Sequence, residues 1–280
     1  MKNECGILYV ATGERHLREA AHSAASARRI HPELPLALFT SAEDQTAHHD
    51  WLRKVFHRID IHPQPSFSFR DKIQPLLLSP FRRTLFLDTD TEVLGRVDDV
   101  FDLLGSFPLC YCRDTTRYNL PAPAVPAAFS EPNTGVLAFA SGEMTSRLFE
   151  RWLRSYDEGL TRHELQHGSG AGYHDQPSFR EVLYETAFPH YVLPEEYNLR
   201  GYAKWFAGAR VRILHAREPY LSRWRHSINR SEDMRYGDGE TIVGRALFDL
   251  KSWIKRRLLR RRPAWKDKEN LNKRYPIAED

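Results

Sequence analysis

The aspartates Asp88 and Asp90, separated by Thr89, form the motif of this sequence with the clearest chemical meaning. A largely apolar run at residues 84–87 directly precedes them and is typical of a buried strand. Two carboxylates one residue apart at the end of such a strand offer the hard oxygen ligands that Mg²⁺ and Mn²⁺ prefer. An Asp-x-Asp triplet alone is a weak signal, and the pair could also form the turn before the next helix. The preceding strand is what favours a metal site.

His215 is a second candidate metal ligand, because it ends the apolar run at residues 211–214. Neutral imidazole is a common ligand of divalent metals. A single histidine beside a strand is nevertheless more often a packed or surface residue. A metal role for His215 therefore depends on whether other motifs support it.

Three other polar segments are candidates for a binding site, and each has an alternative explanation: Lys72, Asn133-Thr134-Gly135 and His174-Asp175-Gln176. Lys72 could be a solvated helix residue, and the second segment could be a plain turn. In the third segment, Asp175 could cap the helix in which Pro177 takes an early position.

Alternating strands and helices must position these residues. Short apolar runs predict strands at residues 6–12, 36–40, 55–61, 84–87, 109–113 and 135–140. Helical spacing predicts a helix that ends at His31-Pro32, and others at residues 71–78, 97–107 and around 148–156. This alternation predicts an α/β fold with a mainly parallel sheet, in which ligands bind beyond the carboxyl ends of the strands.

The motifs, in their order along residues 5–217, resemble the glycogenin-like and bacterial lipopolysaccharide glycosyltransferases of family 8. They are Tyr9-Val10-Ala11-Thr12, Lys72, Leu85-Phe86-Leu87-Asp88-Thr89-Asp90, Asn133-Thr134-Gly135-Val136, Asp175-Gln176 and Leu214-His215. The resemblance implies a GT-A fold, which is a Rossmann-like mixed and mainly parallel sheet flanked by helices. It also implies metal-dependent transfer of a hexosyl group from a nucleotide-diphosphate donor, a UDP-sugar, to a saccharide or lipid-linked glycan.

The resemblance further implies a role for each matching residue. Asp88, Asp90 and His215 would ligate Mn²⁺ or Mg²⁺. The substrate-binding residues would be Ala11, Thr12, Lys72, Asn133 and Gly135. The catalytic candidates at the transferred sugar and the acceptor would be Asp175 and Gln176.

The stereochemical outcome decides which of these two residues acts. The resemblance favours a retaining enzyme, in which Gln176 lies beside the anomeric carbon and the leaving phosphate deprotonates the acceptor. In an inverting enzyme, Asp175 would be the candidate base. After His215 the chain departs from the family, which has a Gly and Lys segment there, and Arg217 is the expected substitute for its phosphate contact.

Two interpretations compete with a glycosyltransferase. An apolar strand followed by Asp-x-Asp also begins the haloacid-dehalogenase-like phosphatases, in which the first Asp is the nucleophile. Those enzymes usually have Thr or Val at the position of Glu92, and they place the motif nearer the N-terminus. The other interpretation is a protein that binds a nucleotide-sugar or a membrane partner without turnover.

Composition indicates one folded domain with a basic tail. The 280 residues are 41% hydrophobic, enough for the core of one α/β domain, assigned to residues 1–230, with a tail at 231–280. Residues 251–274 contain eleven of the 41 Lys and Arg residues but two of the 37 Asp and Glu residues. The rest of the chain is therefore net acidic, which argues against nucleic acid as a partner.

The tail has the pattern of a basic amphipathic helix, followed by a partly disordered end. Apolar residues recur at helical spacing among basic ones: Leu247, Leu250, Ile254 and Leu258. Residues 247–262 could contact an anionic membrane surface, pack on the domain or contact a polyanion, and the first is favoured.

The cysteines and the apolar segments predict where the protein resides. Cys5, Cys110 and Cys112 are odd in number and lack a metal-binding spacing, which predicts reduced structural thiols. No signal-like or membrane-spanning run is visible in the sequence. We expect a cytoplasmic protein, peripheral on the inner face of the membrane if the tail binds there.

Overall fold

The computed structural model describes residues 3–114, 125–170, 172–200, 207–217, 221 and 228–229. The predicted tail at residues 231–280, including residues 247–262, lies outside this part of the chain. Within the described residues, no helix is both long enough and apolar enough to cross a membrane.

Strands and helices alternate along the chain, as expected. The described strands are β1 Asn3–Val10, β2 Leu36–Thr40, β3 Arg58–Ile61, β4 Phe81–Leu87, β5 Thr91–Val93, β6 Leu109–Arg113, β7 Pro132–Ala140, β8 Tyr191–Leu193, β9 Leu199–Arg200 and β10 Ile213–His215. The described α-helices are α1 Glu14–Ile30, α2 Ala42–Val55, α3 Ile73–Leu77, α4 Val100–Leu103, α5 Glu143–His167 and α6 Gln176–Thr186. Short 3₁₀ helices occur at Phe69–Lys72 and Glu195–Tyr197.

Seven strands form the main sheet in the order β3-β2-β1-β4-β7-β6-β8. The pairs β3/β2, β2/β1, β1/β4 and β6/β8 are parallel, whereas β7 runs antiparallel to both β4 and β6. Because β1 and β4 are adjacent and parallel, the segments that follow them emerge at the same edge of the sheet. The prediction of a mixed, mainly parallel sheet flanked by helices is confirmed.

A second sheet of three strands has the order β5-β10-β9. In the antiparallel pair of β5 and β10, His215 lies opposite Thr91. The pairing continues one residue further, where the backbone N–H of Ala216 donates to the carbonyl oxygen of Asp90 at 2.9 Å. This sheet therefore brings His215 to the segment that follows β4.

The main sheet is covered on both faces, as alternating side chains of β1 show. Ile7 and Tyr9 belong to the core under α1, while Leu8 packs in the core on the side of α5 and α6. Helix α1 contributes small buried side chains to its core: Ala20, Ala24 and Ala27. Small residues let this helix lie close to the sheet, as its narrow apolar stripe predicts.

Two local predictions need correction, and one helix was not predicted. The predicted helix at residues 97–107 is only the short α4, although Val97, Val100 and Phe101 are buried at helical spacing. The predicted strand at 55–61 is β3 alone, because α2 continues to Val55. Helix α2 was not predicted. Leu52 is its single buried residue, so the sequence of this helix has no apolar stripe.

Candidate active site

The structure brings together the three residues that were predicted to bind a metal. Asp88 follows β4, Asp90 precedes β5, and His215 ends β10. His215 Nε2 lies 3.2 Å from Asp90 Oδ1 and 4.0 Å from Asp88 Oδ2. One ligand atom from each residue lies within 4.8 Å of the other two. Two carboxylates and an imidazole thus converge at the carboxyl end of β4.

The His215 ring has a defined orientation. Its Nδ1 lies 2.8 Å from the side-chain oxygen of Asn198, which can only accept, so Nδ1 carries the proton. Nε2 then faces the two aspartates and is the ring nitrogen that a metal would take, as in metal sites whose histidines are oriented by a second hydrogen bond. Arg200 Nη1 lies 2.9 Å from the same Nε2. The same Nη1 lies 3.2 Å from Nδ1, so the Arg200 guanidinium lies over the face of the ring and not in line with Nε2.

Positive groups keep Asp90 ionised. Arg217 Nε donates to Asp90 Oδ2 at 3.1 Å, whereas His215 lies beside the other carboxylate oxygen, Oδ1. Burial alone would raise the pKa of Asp90, but the neighbouring His215 and Arg217 hold that pKa well below its usual range. The second aspartate of the motif is thus a carboxylate.

Lys72 connects the candidate metal ligand Asp88 with the candidate catalytic residue Asp175. Its Nζ lies 3.2 Å from Asp88 Oδ1, from Asp175 Oδ2 and from Thr134 Oγ1. Burial lowers the pKa of Lys72, but the negative charges of Asp175 and Asp88 outweigh this effect and raise the pKa above its ordinary value. Lys72 is 9% exposed, so its interpretation as a solvated helix residue is wrong.

Asn133 and Gln176 form an amide network beside this charged group. Asn133 Nδ2 donates to Gln176 Oε1 at 3.2 Å and to Asp114 Oδ2 at 2.9 Å. Gln176 Nε2 donates to Asp114 Oδ2 at 3.2 Å and to Glu131 Oε1 at 3.4 Å. Both ends of the Gln176 amide are therefore bonded. Because Asn133 lies within β7, its interpretation as part of a plain turn is wrong.

The carboxylate of Asp175 contacts other residues of the site and does not cap a helix. Asp175 precedes α6 but makes no side-chain capping bond. Its Oδ2 instead accepts a hydrogen bond of 2.6 Å from Thr134 Oγ1 and lies beside Lys72. Asp175 occupies the N-cap position, but the alternative in which its side chain caps the helix is wrong, because this side chain points into the site.

Gly135 occupies a position that leaves no room for a side chain. A Cβ atom there would lie 2.3 Å from His215 Cε1 and 2.8 Å from Asp88 Oδ2. The backbone of β7 thus approaches the candidate metal ligands more closely than any other residue type would allow.

A cleft of about 230 Å³ extends from this group towards the end of β1. Six of its lining residues are candidates from the sequence: Ala11, Thr12, Lys72, Asp88, Asp90 and Arg217. The Thr12 hydroxyl donates to Asp71 Oδ2 at 2.8 Å, which ties the end of β1 to the segment before Lys72. The cleft is therefore lined both by residues at the end of β1 and by the aspartates that follow β4.

Several residues of the site were not predicted from the sequence: Glu19, Asp114, Glu131, Asn198 and Arg200. Asp114 directly follows β6, so the rule that ligands bind beyond strand ends could have indicated it. Glu19 accepts a hydrogen bond of 3.1 Å from Thr89 Oγ1 and thereby holds in place the residue between the two aspartates. Neither Glu19 nor Asn198 belongs to a recognisable motif, and only the fold reveals their proximity.

Comparison with known proteins gives structural matches without sequence matches. No protein-family model and no curated protein sequence matches the chain. The galactosyltransferase LgtC, solved with donor and acceptor sugar analogues, is 15% identical over 89% of this chain and 95% of its own, with a TM-score of 0.52. The glycosyltransferase GlyE of Streptococcus pneumoniae TIGR4 is 16% identical over 94% of this chain and 67% of its own, with a TM-score of 0.53. From its sheet order and these likenesses, the described part of the chain has the GT-A fold.

Proposed function

We propose that the protein is a metal-dependent glycosyltransferase. It transfers a hexosyl group from a nucleoside-diphosphate donor to a saccharide or lipid-linked glycan, and the donor that we favour is a UDP-sugar. The convergence of Asp88, Asp90 and His215 at the edge of a GT-A sheet, beside a cleft, carries this proposal. The galactosyltransferase LgtC, which was solved with donor and acceptor sugar analogues, is a structural neighbour and supports sugar transfer.

The residues present fit a divalent cation. Two carboxylates and one imidazole form the oxygen and nitrogen donor set that Mn²⁺ accepts, and Mg²⁺ is the alternative. Asn198 orients His215 from behind, as the outer contacts of metal-binding histidines do. A bound cation would neutralise the charge that develops on the leaving diphosphate.

The chain itself supplies further positive charge for the diphosphate. Lys72 and Arg217 both line the cleft beside the aspartates, and both are side chains that bind phosphate oxygens. Ala11 and Thr12, which line the same cleft at the end of β1, would then receive the nucleoside.

The transferred sugar would lie against the amide network. Asn133 and Gln176 offer amide groups, which both donate to and accept from sugar hydroxyls, and Gly135 permits close approach. The carboxylate of Asp175 is already bonded to Thr134 and paired with Lys72, which makes it a poor general base. We therefore favour a retaining reaction with Gln176 beside the anomeric carbon.

The cellular setting is proposed from sequence alone. The odd number of cysteines, read as reduced thiols, supports a cytoplasmic enzyme, and the basic tail at residues 247–262 supports docking on an anionic membrane that carries the acceptor. Sedimentation of the full chain with phosphatidylglycerol vesicles, compared with neutral vesicles, tests the docking.

Thermal unfolding tests the donor site. The purified protein is heated with UDP, GDP, CDP or ADP, each with and without Mn²⁺, and wild type is compared with Asp88→Asn/Asp90→Asn. A ligand that binds only the folded state raises Tm. The surface variant Asp98→Asn is the matched control, because its carboxylate pairs with Arg96 away from the cleft. Metal-dependent stabilisation that only the double variant loses supports the proposal, and no shift with any nucleotide contradicts it.

Turnover distinguishes an enzyme from a binding protein. Release of nucleoside diphosphate from a panel of sugar donors, with water or a saccharide as acceptor, supports catalysis. Tight nucleotide binding without release from any donor would favour the non-catalytic interpretation. The phosphatase alternative is not favoured, because the described residues have the GT-A fold.

A further inference from the structure

Phe67 combines an unusual backbone conformation with an exposed aromatic ring. Its φ angle is +55°, in the region that bulky residues rarely adopt, and 64% of the residue is exposed. Phe67 also lines the cleft that contains the aspartates. A strained backbone that presents an apolar ring to water is costly to the folded state, and such costs concentrate at ligand sites.

Buried Asp71 stabilises this conformation. Its Oδ1 accepts hydrogen bonds from the backbone N–H of Ser66 at 2.7 Å and from the Ser66 hydroxyl at 2.6 Å. Its Oδ2 accepts from the backbone N–H of Phe67 at 2.9 Å and from the Thr12 hydroxyl at 2.8 Å. The loop is therefore built around one carboxylate, and it does not depend on contacts of the Phe67 ring.

The shared oxygen of Asp71 also locates Phe67 along the cleft. Since Thr12 and the Phe67 backbone donate to the same atom, Phe67 lies at the end of the cleft formed by the residues after β1. The aspartates and Lys72 occupy the part that would bind the diphosphate. The lining of the cleft, among described residues, does not include Asn133 or Gln176, where the sugar would lie.

We infer that Phe67 stacks on the nucleobase of the donor nucleotide. The inference rests on the proposed function and adds the residue that recognises the base. Nucleobases present a planar π face, and an aromatic side chain that stacks on it leaves water in the bound state. Phe67 shares Asp71 with Thr12, which the proposed function places at the nucleoside, and this favours a base over the pyranose ring of an acceptor.

Calorimetric titration with paired ligands tests the inference. The probes are UDP, GDP, CDP and ADP with Mn²⁺, of which the tightest is carried forward, and pyrophosphate with Mn²⁺, which lacks a base. Stacking on one base changes affinity by about tenfold. We expect Phe67→Ala to weaken nucleotide binding about tenfold, and to leave pyrophosphate binding unchanged.

Two variants separate recognition from folding. Phe67→Gly removes the ring where glycine is the residue best suited to a positive φ, so its Tm should equal or exceed that of wild type. Its nucleotide affinity should still fall about tenfold, as base stacking predicts. Phe67→Tyr should bind nucleotide like wild type. Leu78→Ala is the matched control, since Leu78 is 47% exposed but does not line the cleft.

The outcomes distinguish this inference from the proposed function. If wild type binds a nucleoside diphosphate and Phe67→Ala binds it equally well, stacking is overturned and the donor site stands. Equal weakening of nucleotide and pyrophosphate also overturns it, because the ring would then act through the loop. If wild type binds none of the nucleotides, both the donor site and the role of Phe67 are overturned.

Discussion

The side-chain oxygen of Asn198 lies 2.8 Å from Nδ1 of His215 and thereby determines which ring nitrogen faces Asp90. The Asn198 amide is itself fixed, because its Nδ2 donates to Asn133 Oδ1 at 2.9 Å. A residue on β7 thus orients the histidine on β10 through one intermediate. The candidate metal group and the candidate sugar group are connected by this amide.

Asn198→Ala should weaken metal binding without removing a ligand. Loss of an outer hydrogen bond to a metal-binding histidine typically lowers affinity by about 10- to 100-fold. We expect a loss of that size in the Mn²⁺ affinity measured by calorimetry in the presence of UDP. Asn198→Asp keeps an acceptor for Nδ1–H and should retain most of the affinity. Equal losses in both variants would contradict an orienting role.

Gly135→Ala should destabilise the protein, because its Cβ would lie 2.3 Å from His215 Cε1. Overpacked sites typically lose about 1–3 kcal/mol of unfolding free energy. Urea denaturation measures this loss, and metal-dependent stabilisation should disappear with it. Gly142→Ala is the matched control, since its Cβ would meet nothing within 4 Å, and it should cost at most about 1 kcal/mol because alanine is disfavoured at the N-cap of α5. A Gly135→Ala protein as stable as this control would show that the site can widen.

Lys72→Met should be strongly destabilising, because it leaves Asp88 and buried Asp175 without their shared cation. Removing one partner from a buried ion pair costs about 3–5 kcal/mol, and partial exposure of Asp88 places the expected loss at the lower end. Chemical denaturation provides the measurement. The exposed pair of Arg96 and Asp98 serves as control, since exposed ion pairs contribute little and Arg96→Met should leave the unfolding free energy nearly unchanged.

A second substitution tests the electrostatic explanation. Adding Asp175→Asn to Lys72→Met removes the buried charge that the first change leaves unpaired, so part of the lost stability should return. If the double variant is less stable than Lys72→Met by the full effect of Asp175→Asn, the two residues do not interact energetically.

Glu131→Gln should stabilise the protein at neutral pH but not in acid. Burial, together with the nearby charge of Asp114, raises the pKa of Glu131. A carboxyl whose folded pKa is raised favours folding below its unfolded pKa and loses that contribution as pH rises through the folded pKa. Unfolding free energies of wild type and variant should be similar near pH 4 and diverge towards pH 7. A variant that is less stable than wild type at pH 7 would contradict this.

Local patterns predicted the central elements and the aspartates. Strands β2 and β6 have the predicted bounds, and the Asp88 motif was recognised because β4 is apolar and ends there. Helix α2 was missed because a helix that lies on the surface needs few apolar residues.

The other site residues depend on contacts between distant parts of the chain. His215 reaches Asp90 because β10 pairs with β5, and neither three-residue strand shows its partner in its own sequence. The family resemblance predicted His215 as a metal ligand. Asn198 and Glu131 were not predicted, because neither a motif nor the resemblance indicated them. Periodicity reports which face of an element is buried, but it does not report which polar side chains meet.

The pairing of β5 with β10 has a consequence for protein synthesis. Residues 91–93 leave the ribosome long before residues 213–215, whereas β1, β2 and β4 are available to each other early. A nascent chain can therefore begin its central sheet while Asp90 still lacks its histidine. A product terminated before His215 would keep much of the hydrophobic core of the main sheet but could not complete the candidate metal group.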